Sequence, residues 1–176
     1  MQNPGQMLLY RLGQVRQQLG YVVPLSAGEL AEVATLLPAP ALRLFVSMSA
    51  ADQRHSLRVC QGLQGRGWHN PEILIAALLH DVGKAAGHVP FWTRPAIVLG
   101  KRCMPRLLTC LTVYPIEQQR LPRWRRALSY AWWHAEVGAD LAGSAGLSER
   151  AVYYIRMHHR PDSPELAELH LVDEVS

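Results

Sequence analysis

Asn70-Pro-Glu-Ile-Leu-Ile-Ala-Ala-Leu-Leu-His80-Asp-Val-Gly-Lys84 joins a helix start, an unbroken apolar run and an imidazole beside a carboxylate. Asn70 offers a side-chain acceptor at the cap position. Pro71 brings the φ angle that a first helical residue needs. The pattern predicts a helix from Glu72 to about His80. Its centre, Ile73 to Leu79, is the longest apolar run of the chain. A membrane-spanning helix needs about 20 apolar residues, so no spanning segment is expected.

Similar signals recur on both sides. Met7 to Leu19 has apolar residues at helical spacing and stops at Gly20. Ser26-Ala-Gly-Glu29 has the form of a capping box before Leu30 to Leu37, a helix broken by Pro38 and Pro40. Further helices are predicted around Leu42 to Met48, from Ser49 to about Gly65, from Pro95 to about Leu111 and from Pro122 through Tyr130. His134 to Ala142 is closed by Gly143 and Gly146. Ser148 caps a helix to about His158, and Ser163-Pro164 opens the last, Glu165 to Val175. No stretch alternates like a half-buried strand between turns. The expectation is an all-α chain forming a single bundle of about eight helices. Residues 1–48 are read as an N-terminal helical extension packed on a domain of residues 49–176.

The chain has 176 residues, 49% hydrophobic and 18% charged, which fits one globular domain and excludes a disordered chain. Met1 to Tyr10 lacks a basic start followed by an apolar stretch, so no secretory leader is expected. Cys60, Cys103 and Cys110 are read as reduced, small, buried hydrophobes of a cytoplasmic protein. The net charge of +4 is unevenly spread. Between Arg94 and Arg126 eight basic residues face one acid, leaving +7 there and −3 in the rest. A basic excess confined to one segment suits an anionic partner, and arginine suits phosphate because its planar fork donates two parallel hydrogen bonds. A solvated helix face is the plainer explanation. Trp132-Trp133 is read as core.

Of the eight histidines, His80 stands beside Asp81 at the end of an apolar helix, and His158 beside His159 near another helix end. His55 and His134 lie in mostly apolar helical segments, where a lone imidazole needs a partner. Several imidazoles gathered in a helical core, with a carboxylate among them, point to a metal. Imidazole with carboxylate suits Mn, Fe, Ni or Zn, and carboxylate with water suits Mg.

The ordered set His55, His80-Asp-Val-Gly-Lys84, His134-Ala-Glu-Val-Gly138, Ile155-Arg-Met-His158-His159 and Val172-Asp173 resembles the HD-domain phosphohydrolase superfamily. His80 to Lys84 is similar to its His-Asp-Ile-Gly-Lys variant. His134 to Gly138 resembles its His-Pro-x-x-Gly element, with Ala135 in place of proline. The resemblance implies a first divalent metal at His55, His80, Asp81 and Asp173. It implies a second at His134 and His158, with His159 as a further ligand or a close contact and Asp81 bridging the two. Asp81 and Lys84 would be the catalytic pair, and Lys84 would meet a phosphate oxygen, helped by Arg94 and His88. The implied reaction is hydrolysis of a phosphomonoester or phosphodiester, of a nucleotide or cyclic dinucleotide, by a metal-activated hydroxide.

The chain departs from the cyclic di-GMP phosphodiesterase branch, in which a Glu and then Gly-Tyr-Pro follow the double histidine. Here the text is Arg160-Pro-Asp-Ser-Pro164. The basic tract of about 85–121 is read as an insert over the site. Alternatives are an enzyme with one metal, or a nucleotide-binding regulatory module without turnover. Neither a membrane nor nucleic acid is the expected partner, and the oligomeric state stays open.

Overall fold

The computed structural model describes residues 22–176 except 88, 91, 92, 115 and 117–119, and leaves out the side chains of 94, 95 and 101. The helix predicted at Met7 to Leu19 and the side chains of His88 and Arg94 therefore lie outside the described residues.

Regular structure among the described residues is entirely helical. The segments are α1 (Ala27–Leu36), α2 (Ala39–Val46), α3 (Ala50–Gly65), α4 (Pro71–Leu79), α5 (Val82–Ala86) and α6 (Thr93–Cys103). They continue with α7 (Pro105–Leu111), α8 (Arg123–Trp132), α9 (His134–Ser144), α10 (Glu149–Met157) and α11 (Pro164–Val175). These eleven exceed the expected eight or so; the nine helices placed one by one within residues 22–176 become eleven through two local departures. The sequence pattern predicts one helix from Pro95 to about Leu111, but Met104 is bent out of helical geometry (φ −145°, ψ 59°) before Pro105, as the clash with a following proline ring demands. The short α5 lies beyond the predicted end of the His80 helix.

The caps form as the sequence requires. Ser26 and Glu29 make a reciprocal capping box, with Ser26 Oγ accepting from Glu29 N and Glu29 Oε2 accepting from Ser26 N. Ser49, Asn70, Ser148 and Ser163 each accept a backbone N–H of the first turn of α3, α4, α10 and α11.

From Ile73 onward helix α4 is apolar on every side and is accordingly the central helix. Ile73, Leu74, Ala76, Ala77, Leu78 and Leu79 are all buried. It packs against α3 and α10, and also touches α1, α2 and α11. Each fully buried leucine or isoleucine contributes about 1.5–3 kcal/mol, so this one helix anchors much of the fold. Val33, Leu37, Ala41, Phe45 and Met48 join the same core, so α1 and α2 share the interior of the later helices. Ile116, Tyr130 and Val137 form a smaller core under the basic tract, flanked by Val89, Leu121 and Leu141.

The cysteine expectation needs correcting. Cys60 is buried, but Cys103 and Cys110 are exposed, because α6 and α7 stand off the main core. No disulfide links the three.

Two glycines set the approach of helices that carry candidate ligands. A Cβ on Gly83 would lie 2.1 Å from the carbonyl oxygen of His134, so α5 rests directly on the start of α9. A Cβ on Gly62 would lie 2.7 Å from Val172 Cγ1, which brings α11 onto the α3 backbone beside Asp173. The Gly83→Ala variant is expected to lose about 1–3 kcal/mol or more, since backbone must move. Gly28→Ala, in α1 with open space around it, is expected to gain up to about 1 kcal/mol from helix propensity. Urea denaturation of both variants checks the opposite signs.

Candidate metal centre

Three imidazoles hang from helix C-termini, where the last carbonyls have no partner within the helix. His80 and His158 directly follow α4 and α10, and His134 opens α9 one residue past the end of α8. Each turns its ring back and donates Nδ1–H to the carbonyl three residues earlier. The distances are 2.9 Å to Ala77, 3.0 Å to Ala131 and 2.7 Å to Ile155. A carbonyl can only accept, so Nδ1 carries a proton and Nε2 is the nitrogen that each ring turns toward the centre. One repeated local device thus aims three Nε2 atoms inward.

The rings converge. Centroids of His80 and His158 are 5.2 Å apart, and those of His134 and His158 5.3 Å. His55, from α3, stands 5.4 Å from His80. His159 stacks at 3.9 Å from His158 and places Nε2 3.0 Å from Nε2 of His134. The carboxylates enter from opposite ends of the chain order. Asp173 of α11 lies 2.8 Å from His55 Nε2 and 3.4 Å from His80 Nε2. Asp81 lies between the groups, with Oδ2 3.7 Å from His80 Nε2 and Oδ1 3.6 Å from His134 Nε2.

Two donor sets result: His55, His80 and Asp173, and His134, His158 and His159. Within each set the ligand atoms lie within 4.8 Å of one another. All seven candidate ligands named from the sequence are therefore brought together. His69 is exposed and apart. His170 pairs with Glu174 at 3.5 Å, away from both sets.

The electrostatics follow from burial. Asp81 is buried; desolvation works to raise its pKa, but Lys84 and then His80 outweigh it and hold the carboxyl well below its ordinary range. Lys84 Nζ sits 2.6 Å from each Asp81 oxygen, so the ammonium clamps the carboxylate symmetrically. The family resemblance implies a phosphate contact for Lys84 and says nothing of this partnership with Asp81. Desolvation lowers His80, yet Asp81 and Asp173 raise it further, up to about 9. Desolvation, reinforced by Lys84, lowers His134 to about 3. His158 is likewise pushed well below the ordinary imidazole range by desolvation and by His80.

The residues fit a divalent cation. His158 Nε2 is buried without a hydrogen-bond partner, and His80 Nε2, equally buried, has no well-formed hydrogen bond and only the 3.4 Å approach of Asp173. An orphaned buried nitrogen costs about 1–3 kcal/mol, which ligation would remove. The donor mixture of imidazole and carboxylate is the one that borderline transition metals take. The Nδ1–H to carbonyl bonds are the outer contacts that metal-ligating histidines usually carry.

Among protein-family models, curated proteins and solved structures, nothing matches the chain.

The pKa shifts give opposing pH dependences for metal-free protein. His134 and His158 are lowered below their unfolded values, so their contribution is complete above about pH 6.5 and fades as pH falls. His80 is raised, so its contribution is complete below about pH 6.5 and fades as pH climbs through about 9. Chelator-treated protein is expected to be most stable near about pH 6.5 in urea titrations, and His80→Gln to flatten the alkaline limb.

Proposed function

We propose that the protein is a metal-dependent phosphohydrolase of the HD-domain type, acting on a phosphomonoester or phosphodiester of a nucleotide or cyclic dinucleotide. The observation that carries this reading is the placement of Asp81, with one oxygen toward each donor set, beside the buried Nε2 atoms of His80 and His158. His55, His80 and Asp173 would hold one cation, and His134, His158 and His159 a second, with Asp81 shared. When bound, such a pair supplies Lewis acidity to a phosphoryl oxygen and makes water nucleophilic near neutral pH.

The protein groups have distinct tasks in this scheme. The three helix-end carbonyls fix the rings, so the ligand atoms are pre-arranged. Asp81 holds its negative charge in a buried place because Lys84 neutralises it until cations arrive. Lys84 is only partly buried and is then the cation available to a phosphate oxygen, stabilising charge that builds on the leaving ester. His159 is the exposed member of its set and lies on the solvent side.

Metal content and turnover test the reading together. Protein loaded with Mn is expected to carry two ions per chain and to hydrolyse phosphoesters. The double variant His134→Ala, His158→Ala is expected to retain one ion, with helical content checked by circular dichroism. Lys84→Met is expected to keep both ions and lose roughly 10²–10³-fold in turnover. Protein that binds no transition metal and hydrolyses no phosphoester with Mn present overturns the proposal. Metal and nucleotide binding without turnover leaves the regulatory-module alternative in its place.

A further inference from the structure

The basic tract contains a surface that the metal centre does not use. Helix α6 and helix α7 pack on each other, and α7 is held from below mainly by Leu108, whose Cδ2 lies 2.9 Å from where a Cβ on Gly100 would stand. Arg125 of α8 secures the far end, donating from Nε to Leu111 O at 2.7 Å and from Nη2 to Cys110 O at 3.1 Å. Helix α6 also packs on α8, with Thr93 buried, and away from these contacts the pair faces solvent. Val98, Leu99, Met104 and Leu107 are between 48% and 67% exposed. Trp124, in the first turn of α8 beside Arg125, is 49% exposed.

The cations are interleaved with these apolar groups. Val98, Leu99 and Arg102 are spaced to share one face of α6, and Arg106 adjoins Leu107 on α7. Arg120 and Arg123 extend the charge toward Trp124. Arg102, Arg106, Arg120 and Arg123 are all exposed, and none has a carboxylate within ion-pair distance among the described residues. The tract from Arg94 to Arg126 carries +7 in a chain whose remainder carries −3.

We propose that the α6–α7 pair, with the first turn of α8, is a peripheral docking surface for an anionic lipid bilayer. Protruding aliphatic side chains enter the acyl boundary while neighbouring arginines meet the headgroup phosphates, and a tryptophan sits at the level between them. Both components are present, and the charge is complementary. A second copy meeting it with the same face is a poor occupant, because that would set like charge against like. Nucleic acid needs the arginines but has no use for four exposed aliphatic groups. The expectation of no membrane partner came from the absence of a spanning run. Among the described residues no helix is long and apolar enough to cross a membrane, but lying on one requires no such helix. This inference is independent of the hydrolase reading.

Co-sedimentation of the full chain with phosphatidylcholine–phosphatidylglycerol vesicles, against phosphatidylcholine vesicles alone, tests it. Binding is expected to be at least roughly ten-fold stronger with the anionic lipid. The pair Arg102→Glu, Arg106→Glu and the pair Leu99→Asp, Leu107→Asp are each expected to weaken it by roughly ten-fold or more. All four positions are exposed, and unchanged melting of the variants verifies their folding. Three results overturn the proposal: equal binding to both vesicle types or none to either, binding that ignores the leucine substitutions, or tighter binding to an oligonucleotide than to the anionic vesicles.

Discussion

A buried carboxylate keeps its charge only where cations or donors surround it, and Asp81 is such a carboxylate. It follows the most apolar helix of the chain, whose burial drags its last residues into the interior. Every nearby structural choice answers that constraint. Lys84, one turn on, folds back to clamp both oxygens. His80 and His134 stand on either side. Gly83 removes the side chain that would keep α5 from α9, and so keeps His134 within reach of Asp81. Metal ions bound there would meet the same electrostatic demand that Lys84 and the imidazoles meet now.

The ring orientations come from a second economy of the fold. A helix that ends in the interior leaves carbonyls without donors. A histidine at that end answers one of them with its own Nδ1–H, and in doing so exposes Nε2 to the centre. The device appears at Ala77, Ala131 and Ile155. It satisfies backbone groups and pre-arranges ligands at once, while the Nε2 atoms of His80 and His158 are left without a well-formed hydrogen bond. Proton and metal compete for these nitrogens, and the carboxylates that raise His80 toward a charged state are the same groups that would attract a divalent ion.

Much of this was readable in the sequence, for physical reasons. The caps at Ser26, Ser49, Asn70, Ser148 and Ser163 depend on neighbours within one turn, so local spacing suffices. The convergence of His55, His80, His134 and His158 was expected from the ordered motifs that resemble the HD-domain superfamily; that isolated imidazoles in apolar helices need partners says only that each must find one. The contacts of Gly62 and Gly83 were not legible, since they arise between helices distant in sequence. Nor was the clamp of Lys84 on Asp81, although their spacing of three residues on a helical turn was a signal that could have suggested it. Cys103 and Cys110 misled because composition favours burial, whereas α6 and α7 lie outside the main core. The break at Met104 was within reach of the sequence, as a proline follows it.

The most direct test of the central claim is anomalous diffraction from crystals of the protein grown with Mn. The account predicts two anomalous peaks, one against His55 Nε2, His80 Nε2 and Asp173, the other against the Nε2 atoms of His134 and His158, with Asp81 between them. Crystals that bind Mn only at surface carboxylates, with His80 and His158 still unligated, would contradict it.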